Sequence, residues 1–177
     1  LVRRWWRIRW RRRIGGLVMW HRIWRNLFTG WFQLERWFPE SRMKSIRDAI
    51  AEGETGHAGE LCFAVEPRYS LWALLGGIDS RQRAEQVFAS LGVWNTQDNS
   101  GVLVYLQLAE RRLEIIADRG IAAKVPQAQW QALCVDFAAA MHNSAPDQAV
   151  FGCLSKINAL LQVHFPAAHD NPKELPD

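Results

Sequence analysis

The sequence predicts an α/β domain: a mixed sheet of three to four strands with helices on both faces, preceded by an amphipathic N-terminal helix. Three observations lead there. Val102 to Leu106 is an unbroken run of β-branched, aromatic and aliphatic residues, which suits a central strand buried on both faces. Leu113 to Ala117 follows a polar turn around Ala109-Glu110-Arg111 with weaker alternation, as an antiparallel partner would. Upstream, Glu60 to Val65 reads as another strand separated from Val102 by a helical pattern, and such a crossover makes the two strands parallel.

The 177 residues leave room for one domain of ordinary size and an appendage. The charge divides the same way. Residues 1–38 carry ten arginines against Glu35 alone, so they hold +9 of a net +4 and leave the remainder at −5. Seven of the ten tryptophans fall in that same segment, making it a basic, Trp-rich arm on a mildly acidic domain.

Taken in order, Leu1 to Arg13 alternates arginine with Trp5, Trp6, Trp10 and isoleucine, a composition suited to an anionic membrane surface or to nucleic acid. The same residues also read as an over-extended translation start, because Met19 lies just downstream of residues 1–18. From Trp20 to Phe38 the apolar positions Trp20, Ile23, Trp24, Leu27, Phe28, Trp31 and Leu34 repeat at the spacing of one helix face. This helix is expected to lie on an anionic membrane surface, to dock on an unknown protein partner, or to pack on its own domain. The uncharged run Ile14 to Trp20 is far short of the roughly 20 residues of a membrane span, and too short for a secretory signal.

The domain proper is expected over residues 39–166. Pro39-Glu40 breaks the pattern and Ser41 is placed to cap a helix through about Glu52, with Met43, Ile46, Ala49 and Ile50 inward. Glycines 53, 56 and 59 make a loop before the first strand, which Pro67 ends. Arg68 to Gly77 suits a loop or short helix. Asp79 with Gln82 forms a capping box for a helix whose stripe is Ala84, Val87, Phe88 and Leu91, stopped at Gly92. Beyond the hairpin, Pro126 opens a helix with Trp130, Leu133, Cys134, Phe137 and Met141 inward, and a last helix carries Val150, Leu154, Ile157 and Leu161. Residues 167–177 read as a mobile polar tail.

Several chemistries find no signature. Cys62, Cys134 and Cys153 are odd in number, lie far apart and include no C-x-x-C pair, so they read as buried apolar residues in a reducing compartment. There is no G-x-S-x-G elbow, P-loop or dinucleotide fingerprint, and His57, His142, His164 and His169 have no metal-ligand spacing.

One cluster does emerge from the topology. An antiparallel hairpin brings Asp118-Arg119-Gly120 beside Asp98-Asn99-Ser100-Gly101, and the parallel strand adds Glu60 to the same sheet edge. Such an oxygen-rich group, Asp98, Asn99, Asp118 and Glu60, suits a hard cation such as Ca²⁺ or Mg²⁺. The cation would polarise a phosphoryl oxygen while Arg119 holds the phosphate, with Asp118 and Asp98 as ligands or acid/base groups. The same residues are also ordinary turn formers that bond their own backbone. This edge lies at the amino ends of the parallel strands, whereas open α/β sheets bind ligands at the carboxyl ends.

Residues 41–166 resemble the TPM domain family, a phosphatase-like family of bacterial envelope-associated proteins and a thylakoid protein. The resemblance rests on Gly59-Glu60-Leu61, on Ala84 to Gly92 leading into Trp94-Asn95-Thr96, on Asn99-x-Gly101-Val102-Leu103 and on Ala117-Asp118-Arg119-Gly120-Ile121. Val125-Pro126 with Trp130, Gly152, and His164-Phe165-Pro166 followed by Glu174-Leu175-Pro176-Asp177 continue it. Ser100 stands where the family favours a second asparagine, and Ser144-Ala145-Pro146 where it has a basic residue or glycine. The resemblance implies acid phosphatase activity, as reported for a plant relative, and a divalent cation, calcium foremost; for most bacterial members it implies no settled function. The chain looks like a short single-domain bacterial form, without the signal peptide and carboxy-terminal span of longer members.

Two functions from different classes follow. The first is a non-catalytic binding or accessory module on the cytoplasmic face of the inner membrane, held there peripherally through Trp20 to Phe38. The second is a weak divalent-cation-dependent acid phosphatase. A nucleic-acid role ranks third, because the domain itself is acidic.

Overall fold

The computed structural model describes residues 19–28, 31–96, 98–143 and 145–167, apart from the side chains of residues 31 and 142; residues 1–18 of the expected arm and the tail beyond residue 167 lie outside them. At the centre is β2 (Gly101–Gln107), every residue of which is buried. Its apolar run has no polar face to turn to water, so both faces must be covered. On one side it pairs in parallel with β1 (Glu60–Glu66), in register from Glu60 opposite Gly101 to Glu66 opposite Gln107. On the other it pairs antiparallel with β3 (Arg112–Ala117), from Val102 opposite Ala117 to Gln107 opposite Arg112. The sheet has three strands in the order β1-β2-β3.

Alternate residues of β2 serve two cores. Val102, Val104 and Leu106 pack with Ile46 and Ile50 of α3 (Glu40–Glu54), Trp130 and Phe137 of α7 (Gln127–Asn143), and Leu154, Ile157 and Leu161 of α8 (Pro146–His164). Leu103 and Tyr105 face the other way, onto Ala84 and Val87 of α5 (Ser80–Ser90). Helices therefore cover both faces, and the period of two along one strand divides them.

The sequence signals act locally as expected at α5: Asp79 accepts from the Gln82 N–H at 2.8 Å while the Gln82 side chain accepts from the Asp79 N–H, and Gly92 takes φ +69° beyond its end. A short helix, α4 (Leu71–Leu75), is capped by Ser70. At α3 the expectation fails. The helix starts at Glu40, one residue before Ser41, with Pro39 at the N-cap and no side-chain cap. Pro39, at φ −61° and ψ 162°, already turns the chain into the helix, and the Ser41 carbonyl instead accepts from the Ser45 hydroxyl at 3.1 Å. One helix that the sequence reading missed, α6 (Arg119–Lys124), follows β3 directly, with Asp118 at its N-cap.

The expected N-terminal helix is present as α1 (19–28) and α2 (Trp31–Trp37), and its apolar face divides. Leu34, Trp37 and Phe38 join the larger core. In α1 the polar side meets the domain instead: Arg22 pairs with Glu110 at 2.7 Å and donates to the Ile78 carbonyl at 2.9 Å, and Arg25 donates to the Ala109 carbonyl at 2.9 Å. Asn26, 2% exposed, accepts from the Tyr69 backbone N–H at 2.8 Å. Trp20, Trp24, Leu27 and Phe28 point outward, Trp24 and Phe28 stacked at 5.2 Å.

Candidate functional site

The hairpin register builds the expected edge. Because Ala117 is the last residue opposite Val102, the Asp118 N–H reaches the Gly101 carbonyl at 2.8 Å and the chain turns at once into α6. The Gly120 N–H then donates to the Asn99 carbonyl at 3.1 Å, and Arg119 Nε donates to Asn99 Oδ1 at 2.7 Å. Asn99 itself sits at φ +52°, a conformation that asparagine tolerates better than most residues. The Thr96 hydroxyl accepts from the Ser100 N–H at 2.8 Å and holds the turn beneath it.

Two glycines let these backbones meet. A Cβ on Gly120 would stand 2.4 Å from the Asp98 carbonyl oxygen, and one on Gly101 would stand 1.9 Å from the Val93 carbonyl oxygen. Only a residue without a side chain fits against backbone at those distances.

The residues named from the sequence are thus brought to one end of the sheet, each with a different environment. Glu60 is buried beside Gly101, its N–H donating to the Ser100 carbonyl at 3.1 Å. Asp98 is exposed on the turn and Arg119 is exposed at the start of α6. Asp118 caps α6 through Oδ1, which accepts from the Arg119 N–H at 2.7 Å, while its Oδ2 is buried with no hydrogen-bond partner. Among the described residues no group of three or more His, Cys, Asp or Glu side chains stands ready to hold a metal ion. A buried carboxylate oxygen without a donor is the kind of atom a hard cation takes up, so Asp118 fits a divalent ion, and neighbouring backbone carbonyls and water would have to complete the shell.

The opposite end of the sheet carries features the sequence reading did not join. There β1 and β2 end, α1 docks by its polar side, and the hairpin tip Leu108 to Arg111 projects beside α1 and Trp37. Asn26 and Arg111 belong to this end. Their signal in the sequence was slight: one asparagine among the polar positions of α1, and a hairpin turn with arginine where glycine or asparagine is usual. Among the described residues no helix is long and apolar enough to cross a membrane.

Three strands in mixed order, a hairpin leading straight into a capped helix, and helices on both faces define a small α/β domain with a polar edge at the hairpin base. The chain belongs to the TPM domain family, whose model matches residues 33–160. Among solved structures it is similar to the BA42 protein from the psychrophilic bacterium Bizionia argentinensis, with 28% identity, a TM-score of 0.67, and coverage of 77% of this chain and 89% of that one. It also shares its fold with the N-terminal domain of a protein from P. gingivalis, at 15% identity and a TM-score of 0.59, covering 75% of this chain and 83% of that domain. No curated protein matches it.

Proposed function

We propose that this TPM domain is a non-catalytic binding module that rests on an anionic membrane surface through the outward face of α1. The observation that supports this reading is the orientation of α1: its arginines and Asn26 are spent on the domain, while Trp20, Trp24, Leu27 and Phe28 are left to the outside. Phe32, 90% exposed, and Leu71, Trp72 and Leu75 of α4 add to the apolar surface. A monomer rarely leaves so many large apolar side chains exposed without a partner. Tryptophan and phenylalanine favour the membrane interface, and the eight arginines of residues 1–38 outside α1 favour anionic lipid, as on the cytoplasmic leaflet of an inner membrane. Placed there, the domain would serve as a platform for a protein partner. Flotation of the full chain with vesicles of phosphatidylcholine and phosphatidylglycerol tests it. The chain should float with these and not with phosphatidylcholine alone, and Trp24→Ala with Phe28→Ala should weaken binding roughly ten-fold or more. A chain that stays at the bottom of the gradient with both vesicles ends this reading.

A second reading is supported by Asp118 Oδ2: a Ca²⁺ or Mg²⁺ ion at the hairpin base, with Asp118 as its firmest ligand and Asp98, Asn99 and Glu60 around it. When bound, such an ion would polarise a phosphoryl oxygen. Arg119, tethered to Asn99, would orient the phosphate and Asp98 would exchange a proton with water or the leaving group. Selective binding to the native state raises the unfolding temperature, so either metal should stabilise the parent chain and not Asp118→Asn.

A further inference from the structure

We infer that the cavity at the carboxyl end of β2 is a binding site for a phosphate ester, supplied either as a free molecule or as the headgroup of an anionic lipid. The cavity, of about 500 Å³, is walled by His21 and Arg25 of α1, Gln33 and Trp37 of α2, and Glu110 and Arg111 of the hairpin tip. That volume falls in the roughly 300–1,000 Å³ range of small-molecule sites. The place is also the one that fold rules favour, outside the carboxyl ends of the parallel strands.

The charge on its wall is arranged for an anion. Glu110 is the one acidic side chain among the described residues of the wall, and Arg22, on the docked side of α1, already pairs with it at 2.7 Å. Arg25 is pinned by its Nε to the Ala109 carbonyl at 2.9 Å, so its guanidinium is held on the wall. Arg111 is different. Its guanidinium lies over the Trp37 ring at 5.7 Å and makes no hydrogen bond or ion pair among the described residues. Its backbone sits at φ +51°, where a glycine or asparagine would be less strained. An arginine at a hairpin tip with a positive φ, lying over an aromatic ring and with its donors unengaged among the described residues, is available for bidentate contact with phosphate.

The lipid source rests on the membrane-docking reading; the phosphate chemistry does not. Successive residues turn by about 100° on a helix, so His21 and Phe28, seven apart, are nearly aligned, with Arg25 on the same flank. The mouth of the cavity therefore opens beside the edge of the outward aromatic face, at the level where headgroups would lie if that face rested on a bilayer.

The test has two arms, both on the full chain. Calorimetric titration with glycerol 3-phosphate should show binding, weakened about ten-fold or more in Arg111→Gly and Arg111→Asn. Both variants accept the positive φ, so they should unfold at the parent's temperature or above it, and lost binding is not lost folding. In the second arm, flotation on phosphatidylcholine vesicles containing phosphatidic acid is measured for the parent, the Arg111 variants and Trp24→Ala with Phe28→Ala. Flotation weakened by both sets of changes, with glycerol 3-phosphate binding weakened only by the Arg111 variants, assigns the lipid headgroup. Binding of glycerol 3-phosphate through Arg111 without flotation supports the cavity and assigns a free phosphate ester, while the membrane reading falls. Arg111 variants equal to the parent in both arms overturn the inference, whatever the parent does on vesicles.

Discussion

The side-chain oxygen of Asn26 accepts the backbone N–H of Tyr69 at 2.8 Å, joining α1 to a residue 43 positions away through a buried polar contact. Gln107, fully buried at the end of β2, reaches the same oxygen at 3.5 Å. This amide therefore acts with Arg22 and Arg25 in holding α1 to the carboxyl end of the sheet. Replacing it leaves the Tyr69 donor buried without a partner, at a cost of about 1–3 kcal/mol. Asn26→Ala should lower the urea midpoint accordingly without changing the slope, whereas Phe28→Ala on the outward face should leave the midpoint in place.

Backbone contact at Gly120 predicts that Gly120→Ala costs about 1–3 kcal/mol, since neither the Asp98 nor the Asn99 carbonyl can withdraw without breaking the turn. Gly152, inside α8 with nothing within 4 Å of an added Cβ, is the opposite case. Gly152→Ala should stabilise by about 0.5–1 kcal/mol, because alanine loses less backbone entropy in a helix. Chemical unfolding of the two variants should move in opposite directions.

The Glu66 carboxylate sits between Tyr105, whose hydroxyl donates at 2.6 Å, and Arg83, whose Nε donates to the same oxygen at 3.0 Å. Burial by itself raises its pKa, but the hydrogen bonds from Arg83 and Tyr105 and the arginine charge together hold it below the ordinary carboxylate range. A carboxyl lowered on folding contributes stability that is full above its unfolded value, about 4.3, and lost as pH falls through the folded value. The stability difference between the parent and Glu66→Gln should therefore shrink on acidification from about pH 5 downward. A difference that stays constant to pH 2 would show that Glu66 does not carry it.

Burial keeps the thiols protonated: it pushes Cys134 to about 11 and Cys153 to about 12, and raises Cys62 with help from the nearby Glu54 charge. Only the thiolate attacks a disulfide reagent. At neutral pH none of the three should react on the native timescale, and all three should react once urea unfolds the chain. Rapid native labelling of Cys62 would count against this packing.

Much of the fold was legible because its signals are local. The unbroken apolar run of β2, the return strand and the Asp79–Gln82 capping box each depend on residues close in sequence, the parallel pairing follows from the rule for strand-helix-strand crossovers, and the structure contains all of them. The juxtaposition of Asn99 with Asp118 and Arg119 was legible too, since hairpin geometry carries one strand's end to the other's start. Ser41 misled because Pro39 had already set the helix entry, and α6 was missed because a six-residue helix shows little periodicity.

What the sequence by itself determined is the three strands and their pairing, the longer helices and the amphipathic period of the N-terminal helix. It could not say which side of that helix meets the domain. Periodicity records that two faces differ, and the usual rule turns the apolar one inward. Tertiary structure decided otherwise for α1, because the carboxyl end of the sheet offers Glu110, the Ile78 and Ala109 carbonyls and the Tyr69 N–H, and these polar groups are satisfied by Arg22, Arg25 and Asn26. The apolar face is then left outside, and Arg25 of α1 and Arg111 of the hairpin tip come to wall a single cavity.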